Sequence, residues 1–191
     1  MNAAAVRALA CGLIYASVVV ILGLKSAQAN EFSVRNAQFR VINGVINMDA
    51  DVDLPLTEAA REALSNGVTL TVVIESEVRA QRALLWDESI ANIRAIFAIE
   101  YHALSDQYVL RNVNLGLTQS YTNLGALRAE LGRIRAFPLI GVSRLAADQD
   151  HSVRIQARLD IESLPAPLRP LAYLSTRWRV SSDWYEWALR W

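Results

Sequence analysis

Apolar and polar residues alternate along several segments of the chain, which predicts β-strands with one buried face and one wet face. The segments with this pattern are Phe32–Ile42, Val45–Leu54, Val68–Val78 and Ser152–Ile161. Asn43-Gly44 separates the first two segments, and both residues tolerate the positive φ angles of a type I′ hairpin turn. Ile93–Leu104 and Gln107–Leu117 form a second predicted hairpin around Ser105-Asp106. The chain is therefore predicted to be mainly antiparallel β-structure.

Helical patterns occupy three shorter parts of the chain. Thr57–Asn66 starts with a residue that can cap a helix, and Leu168–Thr176 has room for one or two turns among prolines. Asn123–Ala136 has the best helical pattern. Its apolar stripe consists of Leu124, Leu127, Leu131 and Ile134. We therefore expect an antiparallel β-sandwich or an open-barrel-like domain with two or three short helices.

The first thirty residues have the three parts of a secretory signal peptide. Arg7 supplies a positive charge, and Ala8–Leu24 is an apolar run without charges. Ala27 and Ala29 then form an A-x-A cleavage site. We predict cleavage after Ala29, which leaves residues 30–191 as a single exported β-rich domain in the periplasm. A membrane span needs about 20 apolar residues, so an uncleaved N-terminal anchor is the alternative.

The composition of residues 30–191 excludes two classes of function. Cys11 is the single cysteine and is removed with the signal peptide, which excludes disulfides, thiol catalysis and cysteine-held metals. The loss of Arg7 and Lys25 from 19 basic residues leaves 17 of them against 19 acidic residues. A nucleic-acid-binding protein usually has a basic excess or a basic cluster, so no nucleic-acid partner is predicted.

Catalytic chemistry has few candidate residues in this chain. No nucleophile elbow, Walker loop or H-E-x-x-H motif is present in the sequence, and no cofactor is predicted. Glu100 and His102 could share a strand face as an acid–base or metal pair, although such pairs are far more often an exposed polar surface. Asp148, Asp150 and His151 form a weaker cluster in a predicted loop. A periplasmic hydrolase or metal-dependent enzyme that uses His102 and Glu100 is therefore the alternative function.

Three aspartates in the second predicted strand, Asp49, Asp51 and Asp53, resemble the start of a calcium-binding loop. The positions that would need the turn glycine and the bidentate glutamate are Leu54 and Ala60. We therefore predict no metal site and interpret the three aspartates as the wet face of a strand.

Arginine and tryptophan side chains cluster after the strongest predicted strand. Guanidinium groups beside an indole, here Arg79, Arg82 and Trp86, can bind an anion or a peptide. The simpler interpretation is a packed loop in which Arg82 pairs with Asp87 or Glu88. Arg79, Arg82 and Trp86 are candidate partner-binding residues.

Four of the five tryptophans lie near the C-terminus, at Trp178, Trp184, Trp187 and Trp191. A strand would place Trp187 and Trp191 on one face with Tyr185, whereas a helix would add Trp184 to that face. The rings could cover the edge of the core, form an exposed platform for a glycan, peptide or protein, or belong to the last strand of an outer-membrane barrel. In the second interpretation Trp184, Trp187 and Trp191 bind a partner.

Several short stretches, each weak alone, follow one another in a fixed order through the chain. They are Ala63-Leu64, Gly67-Val68-Thr69-Leu70, Arg82 with Trp86-Asp87, Tyr101 to Tyr108, Leu164-Pro165, Leu168-Arg169-Pro170-Leu171 and the Trp178, Trp184, Trp187 ending. Together they resemble a family of small exported proteobacterial proteins known only as a domain of unknown function. The resemblance implies an exported single domain and supplies no activity, cofactor or catalytic residue. Genes of the family often lie near a nitrogen-type sensor kinase, which hints at an envelope signalling role.

These observations lead to one predicted function and two alternatives. We predict a non-catalytic periplasmic binding or accessory protein of the cell envelope, with an envelope protein as its partner. The enzyme described above is the alternative from another class. A small outer-membrane or membrane-anchored protein is the third, although the predicted helices use too much of the chain for a small barrel of eight strands. Contact with the membrane is otherwise expected only through an uncleaved signal segment.

Overall fold

The computed structural model describes residues 32–82, 86–178 and 180–190. Within these ranges the fold has nine β-strands and three α-helices. The strands are β1 Ser33–Ile42, β2 Val45–Asp53, β3 Leu70–Ala80, β4 Glu88–His102, β5 Gln107–Asn112, β6 Leu117–Tyr121, β7 Arg133–Gly141, β8 His151–Leu159 and β9 Tyr185–Ala188. The helices are α1 Glu58–Ser65, α2 Leu124–Leu131 and α3 Arg169–Leu174. The predicted fold class, mainly antiparallel β with two or three short helices, is confirmed.

The smaller sheet has three antiparallel strands in the order β1-β2-β7. Asn43 and Gly44 have φ angles of 52° and 75°, so the predicted hairpin turn joins β1 and β2. The apolar side of β2 is buried, as its alternation predicted, through Ile46, Met48, Ala50 and Val52. The other side of β2 carries the three aspartates.

The larger sheet has six antiparallel strands in the order β6-β5-β4-β3-β8-β9. β3 lies in the middle of this sheet and pairs with β4 on one side and β8 on the other. Its inner face is buried through Leu70, Val72, Ile74 and Val78. Because side chains alternate along a strand, Glu75, Glu77 and Arg79 lie on the opposite, outer face. The predicted face of this strand is correct, and the strand starts and ends two residues later than predicted.

The inner faces of the two sheets share one hydrophobic core with α1 and α2. Met48 of β2, Ile74 of β3 and Leu127 of α2 are among its fully buried side chains. Thr57 caps α1 by accepting a hydrogen bond from the amide of Ala60, as its position in the sequence predicted. The small sheet has three strands and the large sheet six, so in the part of the chain that the structure describes no strand lies opposite part of the large sheet's inner face.

The prediction of a helix over Asn123–Ala136 is wrong in its second half. The helix α2 stops at Leu131, and β7 starts at Arg133. Gly132 lies so close to β2 that a Cβ atom built on it would be 2.1 Å from the carbonyl oxygen of Val52. The amide of Val52 also donates to the carbonyl of Gly132, at 2.8 Å. Ile134 therefore lies in a strand opposite Ala50 rather than in the helical stripe.

The predicted strand Gln107–Leu117 is too long and hides a turn. β5 ends at Asn112, whose side-chain oxygen accepts a hydrogen bond from the amide of Leu115. Gly116 then adopts a φ of 69°, which favours glycine, and the chain reverses into β6. The sequence prediction missed β6 and β7, and these two strands border a cleft between the sheets.

The C-terminal segment is a strand, so the helical interpretation of its tryptophans is wrong. β9 pairs with β8, with Trp187 opposite Val153 and Tyr185 opposite Ile155. Val153 and Ile155 are buried, so Tyr185 and Trp187 pack against the core side. Trp191 and the cleavage site at Ala27 and Ala29 lie outside the described residues. Among the helices that the structure describes, none is long and apolar enough to cross a membrane.

Candidate functional site

The outer face of the large sheet gathers charged side chains from β3, from β8 and from the residue before β4 around Glu77. Glu77 is almost fully buried and accepts a hydrogen bond from Arg154 of β8. Arg79 lies 4.0 Å from the same carboxylate and 3.4 Å from the carboxylate of Asp87. The guanidinium of Arg154 also lies over the ring of Trp184, 4.3 Å from its centre. Two groups of candidates predicted separately, Arg79 and Trp184, therefore belong to one connected network.

Arg82 and Trp86 lie at the end of this network. Arg82 pairs with Glu88, one of the two partners expected for a packed loop. Trp86 is 91% exposed, the largest exposure of any described aromatic side chain. The arginines at this end of the sheet are therefore neutralised by carboxylates, whereas the indole of Trp86 is open to solvent.

Glu100 and His102 come close together, as their shared strand predicted. The Nε2 atom of His102 lies 3.6 Å from a carboxylate oxygen of Glu100. The other oxygen of Glu100 accepts a hydrogen bond from Arg111 at 2.8 Å. His151 lies next to Ala80, at the end of β3 that pairs with Glu88, whereas His102 ends β4. The two histidines are separated by the length of β4, roughly 45 Å if the strand were straight, so they do not share a site.

The three aspartates of β2 are held by arginines on the surface. Asp49 pairs with Arg40, Asp51 with Arg135, and Asp53 with both Arg35 and Arg128. This is the arrangement of a solvated strand face. Over the residues that the structure describes, no group of three or more histidine, cysteine or acidic side chains could hold a metal ion.

A cleft of about 420 Å³ opens between the two sheets. The large sheet lines it with inner-face residues of β3, β4, β5 and β6, including Ile74, Ala95, Phe97, Leu110 and Leu117. The opposite wall comes from β7 and the end of α2, through Leu131, Ile134, Ala136, Phe137 and Pro138. Its volume lies within the range of about 300–1,000 Å³ that small-ligand sites have, and its lining is mostly apolar, as in such sites.

The mouth of the cleft exposes two leucines to solvent. Leu115, in the turn between β5 and β6, is 69% exposed, and Leu117 at the start of β6 is 60% exposed. Leu117 pairs through Asn112 with Phe97 of β4, so it lies on the inner face of the sheet. An inner-face leucine with this exposure marks the part of the core that no strand covers, and such surfaces often bind partners.

Charged residues stand at the rim of the cleft and are paired with one another. Arg133 donates to Glu130 at 3.1 Å, and Arg135 donates to Asp51 at 2.7 Å. Ala136 has a φ of 48°, and its amide donates to the side chain of Asp49 at 2.8 Å. This hydrogen bond fixes an irregular backbone in β7 that presents Phe137 to the cleft. Arg133 and Arg135 at the rim are therefore each paired with a carboxylate.

Polar groups at the end of the cleft are also neutral. The hydroxyl of Tyr121 donates to the side-chain oxygen of Gln119 at 2.5 Å. Burial raises the pKa of Tyr121 above its ordinary value, and the nearby carboxylate of Glu130 raises it further. Tyr121 thus stays protonated at neutral pH and keeps Gln119 oriented on β6.

The chain was compared with models of known families. A family model described as Domain of unknown function (DUF4390) matches residues 29–188. The chain belongs to this family. The predicted resemblance is thereby confirmed for the family itself, while its proteobacterial source and its gene neighbourhood stay predictions. No curated protein and no solved structure was found to match the chain.

Membership of DUF4390 assigns no activity, so the site has to be inferred from geometry. The sequence drew attention to Arg79, Arg82, Trp86 and the C-terminal tryptophans, and the structure connects some of these through Glu77. It did not draw attention to the cleft. The only local signal was Leu115 and Leu117 in an otherwise polar stretch next to Gly116.

Proposed function

We propose that this chain is an exported, non-catalytic binding protein of the cell envelope, and that the cleft between the two sheets is its binding site. The observation that supports this most is the exposure of Leu117, an inner-face residue at the mouth of an apolar cleft. Exposed apolar surface is unfavourable in water, so a partner that covers this surface lowers the free energy of the complex.

The network around Glu77 supports the same choice by contrast. Its charged groups already have partners within the fold, so a ligand would have to displace an ion pair in order to bind there. The cleft requires no such exchange, because its interior is apolar and its rim charges pair with each other. Binding in the cleft is thus the less costly alternative.

No geometric observation favours a second function. The pair of His102 and Glu100 lies outside the lining of the cleft, and Arg111 already holds Glu100. A hydrolase or a metal-dependent enzyme built on this pair would need further groups that the described residues do not bring near it.

The binding function is tested by capture of envelope proteins with the full chain, tagged and exported in its own host. Three forms are compared: the parent, Leu117→Arg in the cleft and Trp184→Ala on the outer face. We expect a partner that is recovered with the parent and with Trp184→Ala but lost with Leu117→Arg. A partner lost only with Trp184→Ala would move the site to the outer face and contradict the proposal.

The periplasmic location is a separate proposal with its own test. It rests on the apolar run and the A-x-A site at the N-terminus. Fractionation should release the protein with the periplasmic fluid, and sequencing of its N-terminus should start at Asn30. Recovery of an uncleaved chain in the membrane pellet would replace this proposal with the anchored alternative.

A further inference from the structure

The two sheets have four edge strands among the described residues, and these edges differ in how they are protected. Natural edge strands are protected from further pairing by charges, prolines, bulges or short length. β1 carries Arg35 and Arg40 and has a register shift after Val34. β9 has four residues, one of them Glu186. Both strands therefore carry at least one of these protective features.

β7 is the most strongly protected edge. It contains two arginines and Pro138, a residue that cannot donate a hydrogen bond to a neighbouring strand. Its pairing with β2 shifts register twice, and Ala136 has a positive φ. A further strand could not pair regularly along such an edge.

β6 has none of these features except that it is short. Its five residues, Leu117, Thr118, Gln119, Ser120 and Tyr121, include no charge and no proline. It pairs with β5 in a continuous register, and four of its five residues are exposed. Among the described residues β5 is the only strand that pairs with β6, so this edge of the large sheet is open to pairing with another strand.

An added strand beside β6 would place alternate side chains over the cleft. Side chains of a strand point in turn to the two faces of its sheet, and the inner face here continues into the cavity. That cavity is lined by Phe97, Leu117 and Phe137, while its rim charges are paired with one another. The inserted side chains should accordingly be apolar and uncharged.

A second copy of this chain is a poor candidate for that strand. Two β6 strands would meet through five residues from each copy. Neither face of such a strand offers more than one aliphatic side chain to a cleft, because β6 carries Leu117 with threonine, glutamine, serine and tyrosine. A segment of another protein can use the edge and the cleft together, and so bury more surface.

We propose that an extended, uncharged segment of a partner protein pairs with β6 as a seventh strand of the large sheet and inserts alternate apolar side chains into the cleft. This inference rests on the proposed binding function and names the form of the ligand. Main-chain hydrogen bonds would supply much of the affinity, and the cleft would select the side chains.

The experiment uses a library of fluorescent, capped nonapeptides that alternate threonine with leucine, valine or phenylalanine. The protein is produced by export of the full chain in its own host and is titrated into each peptide. Binding is measured by fluorescence anisotropy of the peptide. Two further versions of the best peptide carry N-methyl groups on one or the other alternate set of amides. Because only one set of amides faces β6, one version should bind at least about tenfold more weakly, and the other should bind like the parent peptide.

Variants of the protein place the peptide in the cleft. Leu117→Arg should weaken binding at least about tenfold, because it brings a charge into the apolar mouth. Leu104→Arg is the matched control, since Leu104 is fully exposed in the turn between β4 and β5 and should bind like the parent. Amide exchange of residues 117–121 should slow when the peptide is bound.

The outcomes separate this inference from the proposed function. Equal binding of both methylated versions, with Leu117→Arg still weak, would overturn strand pairing and leave the cleft as a binding site. Failure of the whole library to bind would overturn the inference as well. If an envelope partner were still captured in a Leu117-dependent way, the proposed function would stand without it.

Discussion

Around Glu77 the outer face of the large sheet joins its charged side chains to partners, whereas beneath β6 the inner face of the same sheet leaves leucines open to solvent. The first region consists of charged groups that are paired with opposite charges within the fold. The second region consists of apolar side chains that remain exposed to solvent. A partner that covers a surface of the second kind lowers the free energy of the system. In the first region the exposed ring of Trp86 offers the same gain, whereas the paired charges do not.

The sequence points to the first region as the binding site, whereas the structure favours the second. Arginines and tryptophans are common in interfaces, and so the region of Arg79 and Trp184 is the more conspicuous one. Their partners, Glu77 and Arg154, come from strands that are far apart in the chain. The sequence already offered local partners for Arg82, but the fold is needed to show that Arg154 packs on Trp184 and that Leu117 is exposed.

The largest expected effect on stability comes from the core beneath the large sheet, which carries both regions. Val72→Asp places a charge at a fully buried position of β3, and it should lower the free energy of unfolding by about 3–5 kcal/mol. A domain of ordinary stability has about 5–15 kcal/mol in total, so the variant should unfold at much lower denaturant concentrations. Thr71→Asp, one residue earlier, is the control and should stay close to the parent. Equal unfolding curves for Val72→Asp and the parent would show that the assigned face of β3 is wrong.

The next effect breaks the network on the outer face. Glu77→Gln removes the charge that Arg79 and Arg154 share, and it should cost about 1–3 kcal/mol in urea unfolding because both guanidinium groups are partly buried. Arg154→Met in the same background should recover part of this loss, since the unpaired charge is then gone. If Glu77→Gln unfolded like the parent, the network would contribute nothing to stability.

A smaller effect is expected from the tryptophan of that network. Trp184→Ala removes the ring beneath Arg154 and should cost about 0.5–1 kcal/mol, measured by thermal unfolding. Trp184→Phe keeps an aromatic face and should fall between the parent and the alanine variant. A phenylalanine variant as unstable as the alanine variant would argue against the cation–π contact.

The smallest effect on stability is expected at the cleft. Leu117→Ser should change the free energy of unfolding by less than about 0.5 kcal/mol, because the side chain is already mostly exposed. The same change should reduce the fluorescence of a bound anilinonaphthalene dye, which reports apolar surface. Leu104→Ser removes an exposed leucine elsewhere and should leave the dye signal unchanged. A large loss of stability in Leu117→Ser would mean that the leucine belongs to the core.

Those parts of the fold with a local pattern could be predicted from the sequence. The alternation in β2, β3 and β8 and the Asn43-Gly44 turn follow from residues that are neighbours in the chain. The cap of α1 at Thr57 is equally local. In each case the residues that decide the structure lie within one element or one turn.

β7 could not be predicted in this way, because its decisive contact is distant in sequence. Leu131 and Ile134 keep helical spacing, so the local pattern continues across the true end of α2. Gly132 caps the end of the helix, and the strand that follows it is positioned by its contact with Val52, about eighty positions earlier in the chain. The cleft could not be predicted for the same reason. Its two walls come from different sheets, so it too depends on contacts that are distant in sequence.

Gly132 has a consequence for the cavity on the other side of β7. Its missing side chain lets the polypeptide press flat against Val52, and β7 starts from that point of contact. Even a methyl group there would act as a wedge between the two strands and tip β7 away from its neighbour. The width of the cleft that faces Leu117 therefore depends on Gly132, which has a hydrogen atom where every other amino acid has a carbon atom.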